Sequence, residues 1–143
     1  MASTNFTNLP RALATAGHNF SSDTLKVLLV SSIPSEANLD AWANRSDVTN
    51  EITGSTGYTA GGIAQAYTLD ALDATNNRQS VTLTNISNGW TTATISAVGC
   101  IVYKNSGSAA TDKLISFVDF GGTVAVTAGS YGINYSTPIY INR

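Results

Sequence analysis

Charged residues are scarce in this sequence. Its 143 residues include seven Lys or Arg and nine Asp or Glu, so 11% are charged, against about 25% in ordinary globular domains. The net charge is −2 and the charged residues stand singly. Nucleic-acid binders carry clusters of Lys and Arg that meet the phosphates, and no such cluster occurs here. We therefore expect no nucleic-acid partner.

Cysteine and long apolar runs are also scarce. The single Cys100 excludes an internal disulfide and a cysteine-based zinc site. No run of eighteen apolar residues occurs, so we expect no membrane span. The first residues, MASTNFTNLPRAL, lack the charged-then-apolar pattern of a secretion signal. These features together favour a protein that folds in a reducing cytoplasm.

What replaces charge is a mixture of small polar and apolar residues. Hydrophobic residues make up 43% of the chain, which is too many for a disordered segment. A chain of this size buries roughly two thirds of its surface when it folds, enough for one core. The length predicts a single domain over residues 1–143.

Helical signals are confined to the first third of the chain. Leu9, Leu13 and Ala16 recur at helical spacing. Pro10 suits the first helical turn and Gly17 can end the helix, which predicts a short helix over residues 9–17. A small helical insertion is expected near residues 36–46, with Ser35 or Asn38 as its cap.

The remainder, residues 23–143, predicts strands. Six or more short runs of β-branched and aromatic residues are separated by turn signals at residues 75–77, 87–89, 105–108 and 121–122. This pattern is typical of a mainly β fold of the β-sandwich or jelly-roll type.

One run, TTATISAVGCIVYK from Thr91, is apolar on both faces and predicts a central strand. Strict alternation places Ile95, Ala97, Ile101 and Tyr103 on one face, and Val98, Cys100 and Val102 on the other. Cys100 is therefore expected to be buried and chemically inert.

The most glycine-dense stretch, GSTGYTAGG at residues 54–62, resembles a phosphate-binding loop only superficially. It lacks the Lys of a Walker loop and the G-x-G-x-x-G of a dinucleotide fold. We interpret it as a turn or extended loop in which glycine supplies positive φ. Tyr58 at its centre is a candidate contact residue.

Catalytic signals are weak throughout. The only histidine is His18, and the sequence has no G-x-S-x-G nucleophile motif for which it could act as a base. Its position just past a predicted helix favours contact with the helix carbonyls. Asp119-Phe120-Gly121 spells the DFG triplet of kinases without the other kinase motifs, and is interpreted as a strand that ends at a glycine turn. We expect neither enzymatic activity, nor a cofactor, nor a metal.

Three aromatic residues are candidates for protein contact: Phe6, Tyr58 and Trp90. Residues 1–8 are mostly polar, and Phe6 is their one aromatic residue, which suggests a docking arm anchored by Phe6. Trp90 stands at a predicted loop-strand junction, where partial exposure is expected. An alternative use of Trp42, Trp90 and the tyrosines is a sugar-binding face, and a further alternative is core packing.

The order of these features resembles small virion proteins of tailed bacteriophages. A short helix near His18 precedes the strand DTLKVLLVS, and GSTGYTAGG precedes AQAYTLDAL. Trp90 precedes ATISAVGCIVYKN, and LISFVDFGG precedes the aromatic segment SYGINYSTPIYIN. The resemblance spans nearly the whole chain but contains no single diagnostic motif.

Some phage proteins of this kind decorate and cement the capsid. The resemblance thus implies a structural protein of the capsid surface, made in the bacterial cytoplasm, whose partner is the major capsid protein and which forms homo-oligomers on the particle. It implies no catalytic residues. A tail or head-tail junction protein, and a carbohydrate- or receptor-binding module, remain as alternatives.

Overall fold

The fold is mainly β, with two antiparallel sheets that face each other in a sandwich-like arrangement. It is seen in a computed structural model that describes residues 1–142. The larger sheet has five strands in the order β1-β7-β6-β2-β3, and the smaller has three in the order β4-β5-β8. The strands are β1 (Ala2–Asn5), β2 (Leu25–Val30), β3 (Ile63–Gln65), β4 (Tyr67–Leu69), β5 (Arg78–Leu83), β6 (Ile86–Lys104), β7 (Leu114–Ile133) and β8 (Ile139–Asn142).

Two short helices lie outside the sheets. The first, α1 (Leu9–Ala14), is shorter than the predicted 9–17, because Ala16 turns to a positive φ of 56° and the helix cannot continue. The second, α2 (Glu36–Ala41), is capped by Ser35, whose side chain accepts a hydrogen bond from the Asn38 N–H. A 3₁₀ turn at Arg45–Asp47 follows. The helical insertion predicted near residues 36–46 is thus confirmed.

The five-stranded sheet is covered on both faces, which divides the apolar core into two clusters. The inner cluster lies between the two sheets and includes Leu25, Val27, Leu29, Val81, Cys100, Val102 and Ile139. The outer cluster lies on the opposite face, beneath α2 and the segment that follows it, and includes Leu28, Val30, Leu39, Trp42, Ile101, Tyr103 and Phe117. Adjacent residues of β2 therefore serve different clusters, as expected for a strand apolar on both faces.

Residues 1–8 belong to the fold, and the predicted docking arm is wrong. Ala2–Asn5 pair with residues 116–119 of β7, and the Asn5 side-chain amide donates to the Tyr140 carbonyl at 2.7 Å. Phe6 is 0% exposed and stacks on Trp42 with ring centroids 6.5 Å apart. An aromatic side chain gains more from burial in its own core than from exposure to water, so Phe6 anchors the first strand rather than a partner.

β6 and β7 form a long hairpin whose two halves differ. The proximal half, residues 99–104 and 114–119, lies within the five-stranded sheet. The distal ribbon, residues 86–97 of β6 and 124–133 of β7, extends beyond β1 and β2. The turns predicted at residues 87–89 and 121–122 are wrong, because both lie inside these strands.

A bulge joins the two halves. Gly99 pairs with Asp119 but Ala97 pairs with Val124, so the four residues 120–123 lie opposite Val98 alone. Gly121 has a φ of +77° and its N–H donates to the Asp119 carboxylate at 2.8 Å. The bulge changes the phase of β6, since Ile95 and Ala97 join the inner cluster but Ile101 and Tyr103 join the outer one. The prediction that these four share a face is therefore wrong.

Candidate interaction surface

The loop at residues 54–62 is held by hydrogen bonds to its own fold. Gly54, Gly57, Gly61 and Gly62 all have positive φ, which confirms a turning backbone. The Tyr58 hydroxyl donates to Glu51 Oε1 at 2.7 Å and accepts from the Leu29 N–H at 3.1 Å. The same Glu51 oxygen accepts from the Gly61 N–H. Burial, together with the nearby Glu51, raises the pKa of the Tyr58 phenol, so the hydroxyl stays protonated.

A second polar network ties the loop to the outer face of the large sheet. The Tyr103 hydroxyl donates to the Gly61 carbonyl at 2.6 Å, and the Arg45 guanidinium lies 5.5 Å from the Tyr103 ring centroid. Arg45 Nε donates to Asp112 Oδ2 at 2.8 Å. Burial alone would raise the pKa of Asp112, but hydrogen bonds from Arg45 and Ser106 hold the pKa below its ordinary value. Each of these groups has a structural partner.

The third polar group surrounds His18. Its Nδ1 lies 3.6 Å from Asp23 Oδ2, and neither ring nitrogen has a hydrogen-bond partner within residues 1–142. Asp23 is instead bound by Lys104 Nζ at 2.9 Å, and that ammonium also donates to the Gly17 carbonyl at 3.1 Å. Lys104, rather than the predicted His18, therefore contacts the chain beyond α1. Burial lowers the pKa of His18, and the imidazole stacks on Phe20 with centroids 5.7 Å apart.

The predicted contact residues Tyr58 and Trp90 meet each other inside the protein. Trp90 is 4% exposed and packs between Tyr58 and Tyr131, with ring centroids 5.9 Å away on each side. The expected partial exposure of Trp90 is wrong, because residues 87–89 continue the strand instead of turning. Tyr58 is half-buried and its hydroxyl is already bound. The structure brings these two residues together but places Phe6 in the other cluster.

Both tryptophans are unavailable as a platform for sugar stacking. Trp42 is 7% exposed, close to the value for Trp90, and the two belong to different core clusters. Aromatic residues that bind sugars present a face to solvent. The arrangement therefore follows the alternative of core packing for these two side chains.

An exposed apolar patch that the sequence did not single out lies on the hairpin of β4 and β5. Leu72 is 72% exposed and Leu69 is 39% exposed. Leu72 also borders an open groove of about 430 Å³ with Arg78 and Ile141. Arg78 is held in place, because its guanidinium lies 4.0 Å from the Tyr140 ring centroid and its Nε donates to Asp73 at 3.2 Å. The signal for this patch is a leucine placed between the turn-forming residues of ALDATNN.

The second exposed surface is the distal ribbon. Residues 86–103 and 120–142 contain no Asp, Glu, Lys, Arg or His. The exposed positions of the ribbon are mostly threonine, serine and alanine, together with Asn88, Gly132 and Val124, which is 44% exposed. A surface without charge is poorly protected against contact with other proteins.

Searches for known chemistry and known relatives are negative. Residues 1–142 hold no group of three His, Cys, Asp or Glu side chains placed to bind a metal. None of the helices described has the length and apolar character needed to cross a bilayer. Comparison with protein-family models, with curated proteins and with solved structures gives no match.

Proposed function

We propose that this protein is a capsid decoration protein of a tailed bacteriophage, which binds the shell formed by the major capsid protein and stabilises it. The observation that carries the proposal is the apolar patch of Leu69 and Leu72, which the hairpin of β4 and β5 presents to solvent. The resemblance to small phage virion proteins supplies the kind of partner.

The mode of attachment follows from the size of this patch. The two leucines and the groove beside them form a contact smaller than the roughly 800 Å² per partner of a standard interface. A shell repeats the same site many times, and a protein that bridges neighbouring subunits gains avidity from several weak contacts. A fold with its N-terminal strand hydrogen-bonded into the sheet suits such a bridge, since little of it must be ordered on binding.

The first experiment is a count of copies in purified particles by quantitative mass spectrometry and cryo-electron microscopy. A decoration protein is present in hundreds of copies at repeated capsid sites. Tens of copies or fewer, or density in the tail or at the head-tail junction, would overturn the proposal in favour of the alternative virion role.

The second experiment tests the patch itself on shells stripped of the protein. Leu72→Asp places a charge in the apolar contact and should weaken binding by about thirtyfold, which corresponds to ~2 kcal/mol. Ile33→Asp is the matched control, because Ile33 is also exposed but lies in the segment between β2 and α2. Equal binding of the two variants would exclude the hairpin as the shell contact. Binding of the wild type to a glycan array instead of to shells would favour the carbohydrate-binding alternative.

A further inference from the structure

The outer edge of β7 is covered over only part of its length. β1 pairs with residues 116–119, and no other strand of residues 1–142 pairs with β7 on that side. Beyond the Gly121 bulge, residues 123–127 are exposed except for the half-buried Val126. A sheet edge of this kind presents backbone N–H and C=O groups that have no partner strand. One of them, the Val124 carbonyl, accepts a side-chain hydrogen bond from the Tyr131 hydroxyl at 3.3 Å.

The usual protections of an exposed edge are missing from this segment. Natural edge strands carry Lys, an inward charge or Pro, which prevent pairing with another strand. Residues 120–137 contain neither a charge nor a proline. The one device present is a second bulge, where Ala128 adopts a positive φ of 49°. This bulge and the one at residues 120–123 leave three residues, 124–126, in regular register with β6, flanked by Thr123 and Thr127.

Those five residues, Thr123-Val124-Ala125-Val126-Thr127, read the same in both directions. Two identical antiparallel strands related by a two-fold axis pair residue i with residue j and residue j with residue i. With the axis at Ala125, every residue meets its own kind across the interface. We propose that residues 123–127 pair antiparallel with the same residues of a second copy of this chain, which joins two five-stranded sheets into one.

The side chains of this pairing are complementary on both faces. On the inner face, Val124 lies opposite Val126 of the second copy, and the reciprocal pair repeats the contact. Val126 already packs against the inner core cluster, so the pairing covers the exposed part of Val124. On the outer face, Thr123 lies opposite Thr127. Pairs of β-branched residues and pairs of threonines are both favourable across antiparallel strands.

The absence of charge permits pairing with a second copy. A charged edge would meet its own charge at the two-fold axis, with like charges in opposition. This edge has none, so self-pairing carries no such penalty. Five residues form a small interface, well below the standard size. The dimer is therefore expected to be weak, with a dissociation constant above about 10 μM.

The test is sedimentation velocity of the purified full chain from ~10 μM to ~1 mM, a range that spans the expected dissociation constant. The wild type should shift from monomer to dimer as the concentration rises. Ala125→Lys and Ala125→Glu each place like charges at the axis, and each should weaken dimerisation at least tenfold. An equimolar mixture of the two variants should restore the dimer, because opposite charges then meet.

Ser96→Lys is the matched control. Ser96 is exposed and pairs with Ala125 from the β6 side, so it adds the same charge to the ribbon but not to its free edge. It should dimerise nearly as the wild type does. A melting curve of each variant at low concentration checks that the monomer remains folded.

Three results would overturn the proposal. The first is a wild type that stays monomeric at the highest concentration, which would leave the edge for a strand of another protein. The second is an equal effect of Ala125→Lys and Ser96→Lys. The third is a mixture of the Lys and Glu variants that dimerises no better than either alone, which would place Ala125 away from the two-fold axis.

Discussion

The two halves of the β6–β7 hairpin are made of the same two strands, yet they follow different rules. The proximal half has a neighbouring strand on each side and an apolar cluster on each face. The distal ribbon has one buried face, bulges at Thr92 and Ala128, and a bare edge. Because the proximal half is buried on both faces, substitutions there disturb the packed core. The distal ribbon is open to a partner because the neighbouring strands β1 and β2 do not extend along it.

The largest effect is expected from removal of the aromatic anchor of the proximal half. Phe6→Ala empties a fully buried site against Trp42 and should lower the free energy of unfolding by ~3–5 kcal/mol. The melting temperature of the isolated protein should fall by about 10 °C or more. Val124→Ala, at an exposed position of the distal ribbon, is the control and should change it by only a few degrees. An unchanged melting temperature for Phe6→Ala would return the N-terminal segment to the role of a docking arm.

The reactivity of a cysteine thiol should distinguish the proximal half from the distal ribbon. Burial raises the pKa of the Cys100 thiol to about 12, and the side chain is buried, so the native protein should react with a thiol reagent only as it unfolds. Ala125→Cys in the distal ribbon should react within the mixing time of the assay. Cys100→Ala should cost on the order of 1 kcal/mol in a denaturant titration. Rapid labelling of Cys100 in the wild type would contradict its burial.

The bulge at Ala128 predicts a stabilising substitution in the distal ribbon. Alanine at a φ of 49° is strained, whereas glycine adopts this conformation readily. Ala128→Gly should raise the free energy of unfolding by about 0.5–1 kcal/mol, as measured by denaturant titration. Ala64→Gly, in the regular strand β3, is the control and should lower it by a similar amount. A loss of stability in both variants would show that the bulge at Ala128 is absent in solution.

The smallest effect concerns pH at the proximal end of the sheet. Burial lowers the pKa of His18 below 6.5, although Asp23 opposes this shift. The unfolded chain therefore binds a proton more readily than the folded one. The contribution of His18 to the free energy of unfolding should be fully present above about pH 6.5 and should be lost as the pH decreases below that value. His18→Gln removes this titration, so its free energy of unfolding should vary less between pH 7.5 and pH 5.5. This range extends about one pH unit above and below the ordinary pKa of histidine. An identical slope in both proteins would exclude His18 as the source.

Much of the local structure can be predicted from short stretches of the sequence. The β-branched runs, the positive-φ glycines of residues 54–62, the helical insertion near Ser35 and the burial of Cys100 all follow from short-range rules. These features depend on propensity, on turn chemistry and on apolar residues that alternate along one strand. Distant parts of the chain are not needed to predict them.

The contact residues could not be found in this way, because exposure depends on which segments cover one another. Phe6 has a polar sequence around it, but the pairing of Ala2–Asn5 with β7 carries it under Trp42. Trp90 follows a turn-like Ser-Asn-Gly, but the strand continues through that segment. Leu72 stays exposed, since no strand or helix of residues 1–142 covers it.

By itself, the sequence determined that this protein is a β-sandwich-like domain with few charged residues, since composition and alternation set which residues must leave water. It also contained the palindrome at residues 123–127. Only the tertiary structure decided that this palindrome lies on an open edge, because β1 is four residues long and pairs only with residues 116–119 of β7. The length of a neighbouring strand, which no local pattern encodes, thus separates a buried strand from a surface that can bind a second copy.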